Sequence, residues 1–401
     1  MKRIPSFALL LALCLLLSGC FSDILENLVG GESSSVVDES STVSNDDSFT
    51  SETDSSLESG ITPFQSREIS SLTELRDYIR DNKDRGVLSF GFKYLGDSSE
   101  LDGVVIARIA TACVVNYYIE NENEYTITII EYPGDRIVDA YRSGDMHLLN
   151  DDEKKALKIA EEIVNDAAAK AKNSYELEIL LHDEVLKRVS YFDGTTEVPD
   201  AFNPPRHLTV VGALIDGKAN CQGYAGAFYT LASIAGFEVG RMSVYNNDGS
   251  HICNTIKLDG NWYVVDTTFN DAFTDSEDAP SLYYLFNAGR DMCCDFVWSE
   301  ETEYYPIADK SDENYYYFEQ KGKSVLCFDD EKKLANEIMK RWYYDGVTEF
   351  HAAVLGKKVT WEELADEFQN ASIPAEVGYN YTIWTLFNGR DSFFAVRLTG
   401  E

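Results

Sequence analysis

The sequence predicts an α+β protein, with N-terminal helices packed on an antiparallel sheet and a small α/β module on either side of that core. Three observations carry this. An Asp259-Gly260 pair between two alternating apolar runs marks a central hairpin. Helically spaced runs with their own end signals precede it, from Asn150 to Gly236. A helix, strand, helix, hairpin order recurs near both ends of the ordered region.

The 401 residues hold 34 Lys plus Arg and 69 Asp plus Glu, a formal charge of −35. That field repels phosphates, so a nucleic-acid partner is excluded. With 44% hydrophobic and 12% aromatic residues, there is ample material for cores.

Lys2 and Arg3 precede an apolar stretch from Phe7 to Leu17, too short to span a bilayer and laid out as an export signal. It ends in Leu17-Ser18-Gly19-Cys20, which resembles a bacterial lipoprotein lipobox. That resemblance implies removal of residues 1–19, lipid attachment to Cys20, and a place on the outer side of the cell membrane, the lipid being the only membrane contact. Residues 32–60 contain eleven Ser, three Thr and eight acids, and no Lys or Arg occurs between Arg3 and Arg67. Such a segment buries too little to offset its ordering entropy, so residues 20–65 are expected to be a disordered tether.

The folded part divides by these signals into 66–146, 147–315 and 316–401. In the first, Ser71 and Glu74 form a capping box for a helix to about Arg85, stopped by Gly86. A strand at 87–95, a helix at 101–114, and a hairpin of 125–132 with 136–141 around Pro133-Gly134-Asp135 follow. The last segment repeats that order: a helix at 330–344 stopped by Gly346, a strand at 347–355, a helix at 360–369, and a hairpin of 381–387 with 392–398. Tyr125-Thr126-Ile127 and Tyr381-Thr382-Ile383 then stand at equivalent places. In the middle, Asn150 and Glu153 cap a helix to about Asn173, a second covers 174–189, and 192–220 reads as mostly loop.

The chemistry lies between 217 and 271. Tyr224, Phe228, Leu231 and Ala235 recur at helical spacing from Cys221 on, while Ala225, Gly226, Ala227 and Ala232 make that helix slim enough for burial on several sides. Cys221 thus opens a helix, where free N–H groups and the positive dipole end favour thiolate. If Asp259 and Gly260 form the hairpin turn, cross-strand partners sum to 519, so Cys253 faces Asp266 and His251 is diagonal to it. A carboxylate, an imidazole and a helix-terminal thiol together are the Cys-His-Asp arrangement of acyl transfer.

Three blocks, Gly217-Lys218-Ala219-Asn220-Cys221-Gln222-Gly223-Tyr224-Ala225, His251-Ile252-Cys253-Asn254 and Val265-Asp266-Thr267-Thr268-Phe269, resemble the signatures of the transglutaminase-like, papain-related superfamily. The resemblance covers about residues 150–315. It implies Cys221 as nucleophile, His251 as the base that ionises it and then protonates the leaving group, and Asp266 as the orienter of the imidazole. The oxyanion would be met by the Cys221 N–H and by Tyr191 as candidate second donor. Two departures stand out: Cys253 where an aromatic is common after the His, and Thr267 where a Pro is common after the Asp. Cys253 on the face of the active site would allow an oxidative link to Cys221; its other role is plain packing.

The remaining cysteines, Cys113, Cys293, Cys294 and Cys327, match no zinc pattern and leave the disulfide state open. His182 reads as a helix residue with a local hydrogen bond. His147, His207 and His351 lack a Cys or carboxylate at useful strand or helix spacing, and the acidic run Asp275 to Asp278 lacks calcium-loop spacing. No cofactor or metal is expected. The reading is a monomeric cysteine peptidase or amidase acting on peptides or proteins at the cell envelope. A true protein-crosslinking transglutaminase and a non-catalytic binding module on the same fold remain open alternatives.

Overall fold

The computed structural model describes residues 67–101, 103–110, 113–121, 123–192, 204–246, 249–271, 282–293, 308–374 and 377–400. The export signal, Cys20, the tether, Asp275 to Asp278 and Cys294 lie outside the described residues, as does the side chain of Cys113. No helix among the described residues is long and apolar enough to cross a membrane.

Two four-stranded sheets stand at the ends of the described chain with one topology. The first is β1 (Arg67–Ile69), β2 (Ser89–Tyr94), β3 (Cys113–Asn121) and β4 (Glu124–Ile130), in the order β1-β2-β4-β3. Helix α1 (Leu72–Asp84) joins its parallel pair β1 and β2, and α2 (Gly103–Ala110) leads to the hairpin. The last sheet holds β10 (Leu326–Phe328), β11 (Glu349–Val354), β12 (Tyr379–Phe387) and β13 (Ser392–Gly400) in the order β10-β11-β13-β12, again with a parallel first pair and an antiparallel remainder.

Three expectations are corrected here. The first hairpin joins β3 to β4, with Asn123 at φ 70°, while Arg136 to Tyr141 lie in α3 (Asp135–Ser143). In that helix Ile137, Val138 and Ala140 are buried, a spacing that fits a helix face and breaks strand alternation. The helix expected at 101–114 stops at Ala110, and the β-branched Val114 goes to β3. Consequently Tyr125 lies on the second strand of its hairpin and Tyr381 on the first of its own, so the two Tyr-Thr-Ile runs are not equivalent. Helix α3 also leaves the first sheet's surroundings: Ile137 and Ala140 pack into the core of the middle segment.

That middle segment holds α4 (Asp151–Ala168), started by a full Asn150–Glu153 capping box, and α5 (Ser174–Arg188). The short parallel pair β5 (Ser190–Tyr191) and β6 (Lys218–Ala219) follows. The described part of the stretch read as loop, from residue 204, contains a 3-10 turn at Arg206–Leu208 and a π-helical turn at Gly212–Asp216. Helix α6 (Cys221–Ile234) comes next, with every residue from Gly223 to Ser233 buried. Small residues permit this. A Cβ on Gly226 would lie 2.5 Å from the Pro133 Cβ, and one on Gly223 would lie 2.5 Å from the Ala219 Cβ.

The antiparallel sheet β7 (Val239–Asn246), β8 (Gly249–Leu258), β9 (Asn261–Val265) has different neighbours on its two faces. Ile256, Tyr263 and Val265 join Phe228 and Leu231 of α6 in the main core, and Ile252 packs on Ala225. Met242, Val244, Cys253 and Val264 join Ala353 of β11 (Glu349–Val354) and Phe393 of β13 (Ser392–Gly400) instead. Helix α6 thus covers one face of the sheet, and the last module covers the other.

Candidate active site

Asn220 caps α6: its side chain accepts the Gln222 N–H at 3.0 Å, and its own N–H donates to the His207 carbonyl at 3.0 Å. The chain is therefore held on both sides of Cys221. The Cys221 N–H, first of the helix, has no acceptor among the described residues, as helix geometry requires of a first-turn donor.

The hairpin register follows the expected arithmetic, with Leu258 opposite Asn261 and Asn254 opposite Val265. Asp259 and Gly260 take φ of 45° and 85°, the left-handed values of a two-residue I′ turn. Strand β9 ends at Val265, so His251 lies on β8 three residues past the last of these pairs, where β8 is paired with β7 alone, opposite Val244. There its Nε2 meets Asp266 Oδ2 at 2.6 Å, and the Cys221 side chain lies near enough to the ring to raise its basicity. Since a carboxylate only accepts, Nε2 carries the proton toward Asp266 and Nδ1 is left for the sulfur.

Asp266 is fixed at four points. Oδ1 accepts the Phe269 N–H at 2.9 Å, capping the short helix α7 (Thr267–Asp271), while Oδ2 takes the imidazole. Its own N–H donates to the Leu285 carbonyl at 2.9 Å, and its carbonyl accepts from the Asn270 N–H at 3.0 Å. Burial alone would lower the His251 basicity, but the Asp266 charge, its hydrogen bond and the adjacent Cys221 outweigh it and hold His251 well above its usual range.

Residues 159–267 match the model of the transglutaminase-like superfamily. The chain carries a transglutaminase-like domain. The matched span includes Cys221, His251 and Asp266. Among solved structures the chain resembles a TGase at 13% identity, over 50% of this chain and 59% of that one, with a TM-score of 0.26. It also resembles a protein named "Putative Cysteine Protease" from Cytophaga hutchinsonii at 16% identity, over 39% of this chain and 62% of that one, with a TM-score of 0.24. The likeness spans less than two thirds of either structure's length. No curated protein matches the sequence.

Within the transglutaminase-like domain, Cys253 takes the packing role, one of the two expected for it. It is 1% exposed, its thiol points to the Met242 carbonyl at 3.8 Å, and it packs with the face turned away from α6. Burial, with Asp266, Cys293 and Cys221 nearby, pushes its thiol well up, so it is a packing residue and not the oxidative partner of Cys221. Cys327 is likewise pushed up to about 11 by burial and Asp391. Tyr191 ends β5, paired with Ala219 two residues before Cys221, and its ring lies 6.4 Å from that of Tyr224.

Three contributions to the site carry no local sequence signal. His182 is fully buried and has more than a local bond: Nδ1 meets Asp183 at 3.1 Å, and Nε2 meets the Asn270 side chain at 2.9 Å, steadying α7 behind Asp266. Tyr132 packs with Ala225 and Ile252 beside Cys221 and meets Ser243 at 3.1 Å. Arg241 lies over the Tyr132 and Tyr229 rings and donates to the Pro133 carbonyl at 3.0 Å, pinning that segment against α6. Only the helix-start position of Asn220 was open to local reading; the other partners come from about a hundred residues away in the chain.

Proposed function

We propose that this protein is a thiol acyl-transfer enzyme whose triad is Cys221, His251 and Asp266, working as a cysteine peptidase or amidase on peptides or proteins at the cell envelope. The observation that carries the reading is the 2.6 Å bond between the His251 imidazole and the buried Asp266 carboxylate, with Cys221 at the start of α6 acting on the same ring. His251 Nδ1 takes the thiol proton, and the sulfur attacks the substrate carbonyl carbon. The oxyanion that forms accepts the Cys221 N–H, with Tyr191 as candidate second donor. The imidazolium then gives its proton to the leaving amine, and the C–N bond breaks to leave a thioester. Water, deprotonated by His251, resolves that ester and releases a carboxylic acid; a lysine amine in its place would release a crosslink.

The raised basicity of His251 supports the reading, because a basic imidazole retains the thiol proton at neutral pH. Attachment through a lipid on Cys20, with the acidic segment at 20–65 as spacer and the enzyme monomeric outside the cytoplasm, completes the proposal.

The test is labelling by a thiol-directed probe across pH, with Cys221→Ala and His251→Ala as controls. Strong labelling near neutral pH that requires both residues supports the enzyme. Labelling that follows an ordinary thiol, indifferent to His251, would favour a binding module. Peptide libraries with and without amine acceptors then separate hydrolysis from crosslinking.

A further inference from the structure

Away from the triad, Glu178 of α5 and Asn287 are both fully buried, and Asn287 Nδ2 donates to Glu178 Oε2 at 3.0 Å. Their other two oxygens, Glu178 Oε1 and Asn287 Oδ1, have no partner among the described residues. A carboxyl and a carboxamide are both planar forks of matching reach, so a second, parallel bond between the remaining arms is open to them when one arm carries a proton. Two bare acceptors buried in that way repel and forfeit their hydration, whereas one proton between them makes a second bond. We infer that Glu178 is carried as a neutral acid whose O–H donates to Asn287 Oδ1, and that this two-bond clasp makes Glu178 a positioning residue for Asp266.

The surroundings agree. The charged group acting on Glu178 is Glu313, itself acidic, and burial pushes Glu178 up to about 8 against the lowering effect of the Asn287 bond. Tyr175, a turn earlier on α5, has a buried hydroxyl without a described partner, and Glu319 and Tyr315 of the helix Tyr315–Gly322 act on it. His182, a turn later, is engaged with Asp183 and Asn270. No lysine or arginine is among these neighbours.

The clasp holds the segment that Asp266 leans on. Ala288, next to Asn287, exchanges two backbone bonds with Val264 of β9 at 2.8 and 2.9 Å, and the Leu285 carbonyl accepts the Asp266 N–H. Asn287 itself sits at φ 53°, in the left-handed region that asparagine tolerates. The protonation stands apart from the proposed activity; the positioning role rests on it.

Glu178→Gln keeps the shape and replaces the O–H by an N–H. Because the folded value lies above the ordinary 4.5, the wild type loses stability relative to this variant as pH rises through that interval toward about 8. Its unfolding constant in urea should grow by up to about tenfold per pH unit relative to the variant, then level off. In the wild type alone, carbon NMR of labelled glutamate carboxyls should show one group titrating near 8. If every glutamate titrates below about pH 6, or if Glu178→Gln is the less stable protein from pH 6 to 8, the neutral acid is refuted.

For the positioning role, Glu178→Ala should slow His251-dependent labelling of Cys221 by about tenfold while circular dichroism stays native, and Glu178→Gln should restore it. Unchanged labelling in Glu178→Ala would overturn that role alone. Wild-type labelling indifferent to His251 would instead overturn the proposed activity and leave the clasp standing on its titration.

Discussion

The Asn254 side chain donates to the Ala225 carbonyl at 3.0 Å, joining the strand that carries His251 to the helix that Cys221 opens, one turn from the thiol. The same amide donates to the Gly240 carbonyl of β7 at 3.2 Å, so a single buried group sets the spacing of strand pair and helix. The approach of Cys221 to His251 depends on that spacing.

Replacing Asn254 by Leu removes both bonds and places apolar atoms against two carbonyls. The expected cost is about 1–3 kcal/mol in urea unfolding. Labelling of Cys221 should slow by about tenfold, because the imidazole no longer stands at hydrogen-bond reach. A variant that unfolds more easily yet labels at the wild-type rate would show that Asn254 serves the fold and not the site.

The pH dependence of stability has a definite sign at His251. Its folded value is raised above 6.5 by Asp266 and Cys221 in spite of burial, so the stabilisation it brings is complete below 6.5 and is lost as pH rises through the folded value. The stability gap between wild type and His251→Ala, followed by thermal unfolding at fixed ionic strength, should therefore narrow on the alkaline side. A gap that widens with pH would mean the ring is held neutral.

Gly226→Ala places a methyl group 2.5 Å from the Pro133 Cβ, on the side of α6 where Tyr132 flanks Cys221. Overpacking of this kind costs about 1–3 kcal/mol, more than the gain in helix propensity returns. Urea unfolding reads the loss. Equal or greater stability in the variant would mean that the Pro133 segment yields freely and that the Arg241 contacts do not hold it.

Local rules served well where the deciding forces are local. The Ser71, Asn150, Asp330 and Thr360 side chains all cap the helices they precede, since a cap bonds an N–H only two or three residues away. They failed at Arg136 to Tyr141, where a short run fits strand or helix and burial against the middle core decides. They also passed over β1 and β10 (Leu326–Phe328), three residues each, which exist only because a parallel neighbour supplies their hydrogen bonds.

What the sequence determined by itself was the order of the three blocks, the start of α6 at Cys221 behind its Asn220 cap, and the register that brings His251 to Asp266 through the Asp259-Gly260 turn. What only the tertiary structure decided was which face of that hairpin the helix covers. Alternation sorts side chains into two sets but does not say which set meets α6 and which meets the last module. That choice consigned Cys253 to a core with Ala353 and Phe393, and gave Asp266 its supports from Leu285, Asn270 and, behind them, His182. Periodicity and capping act over a few residues, whereas the burial of a face depends on surfaces delivered from elsewhere in the chain.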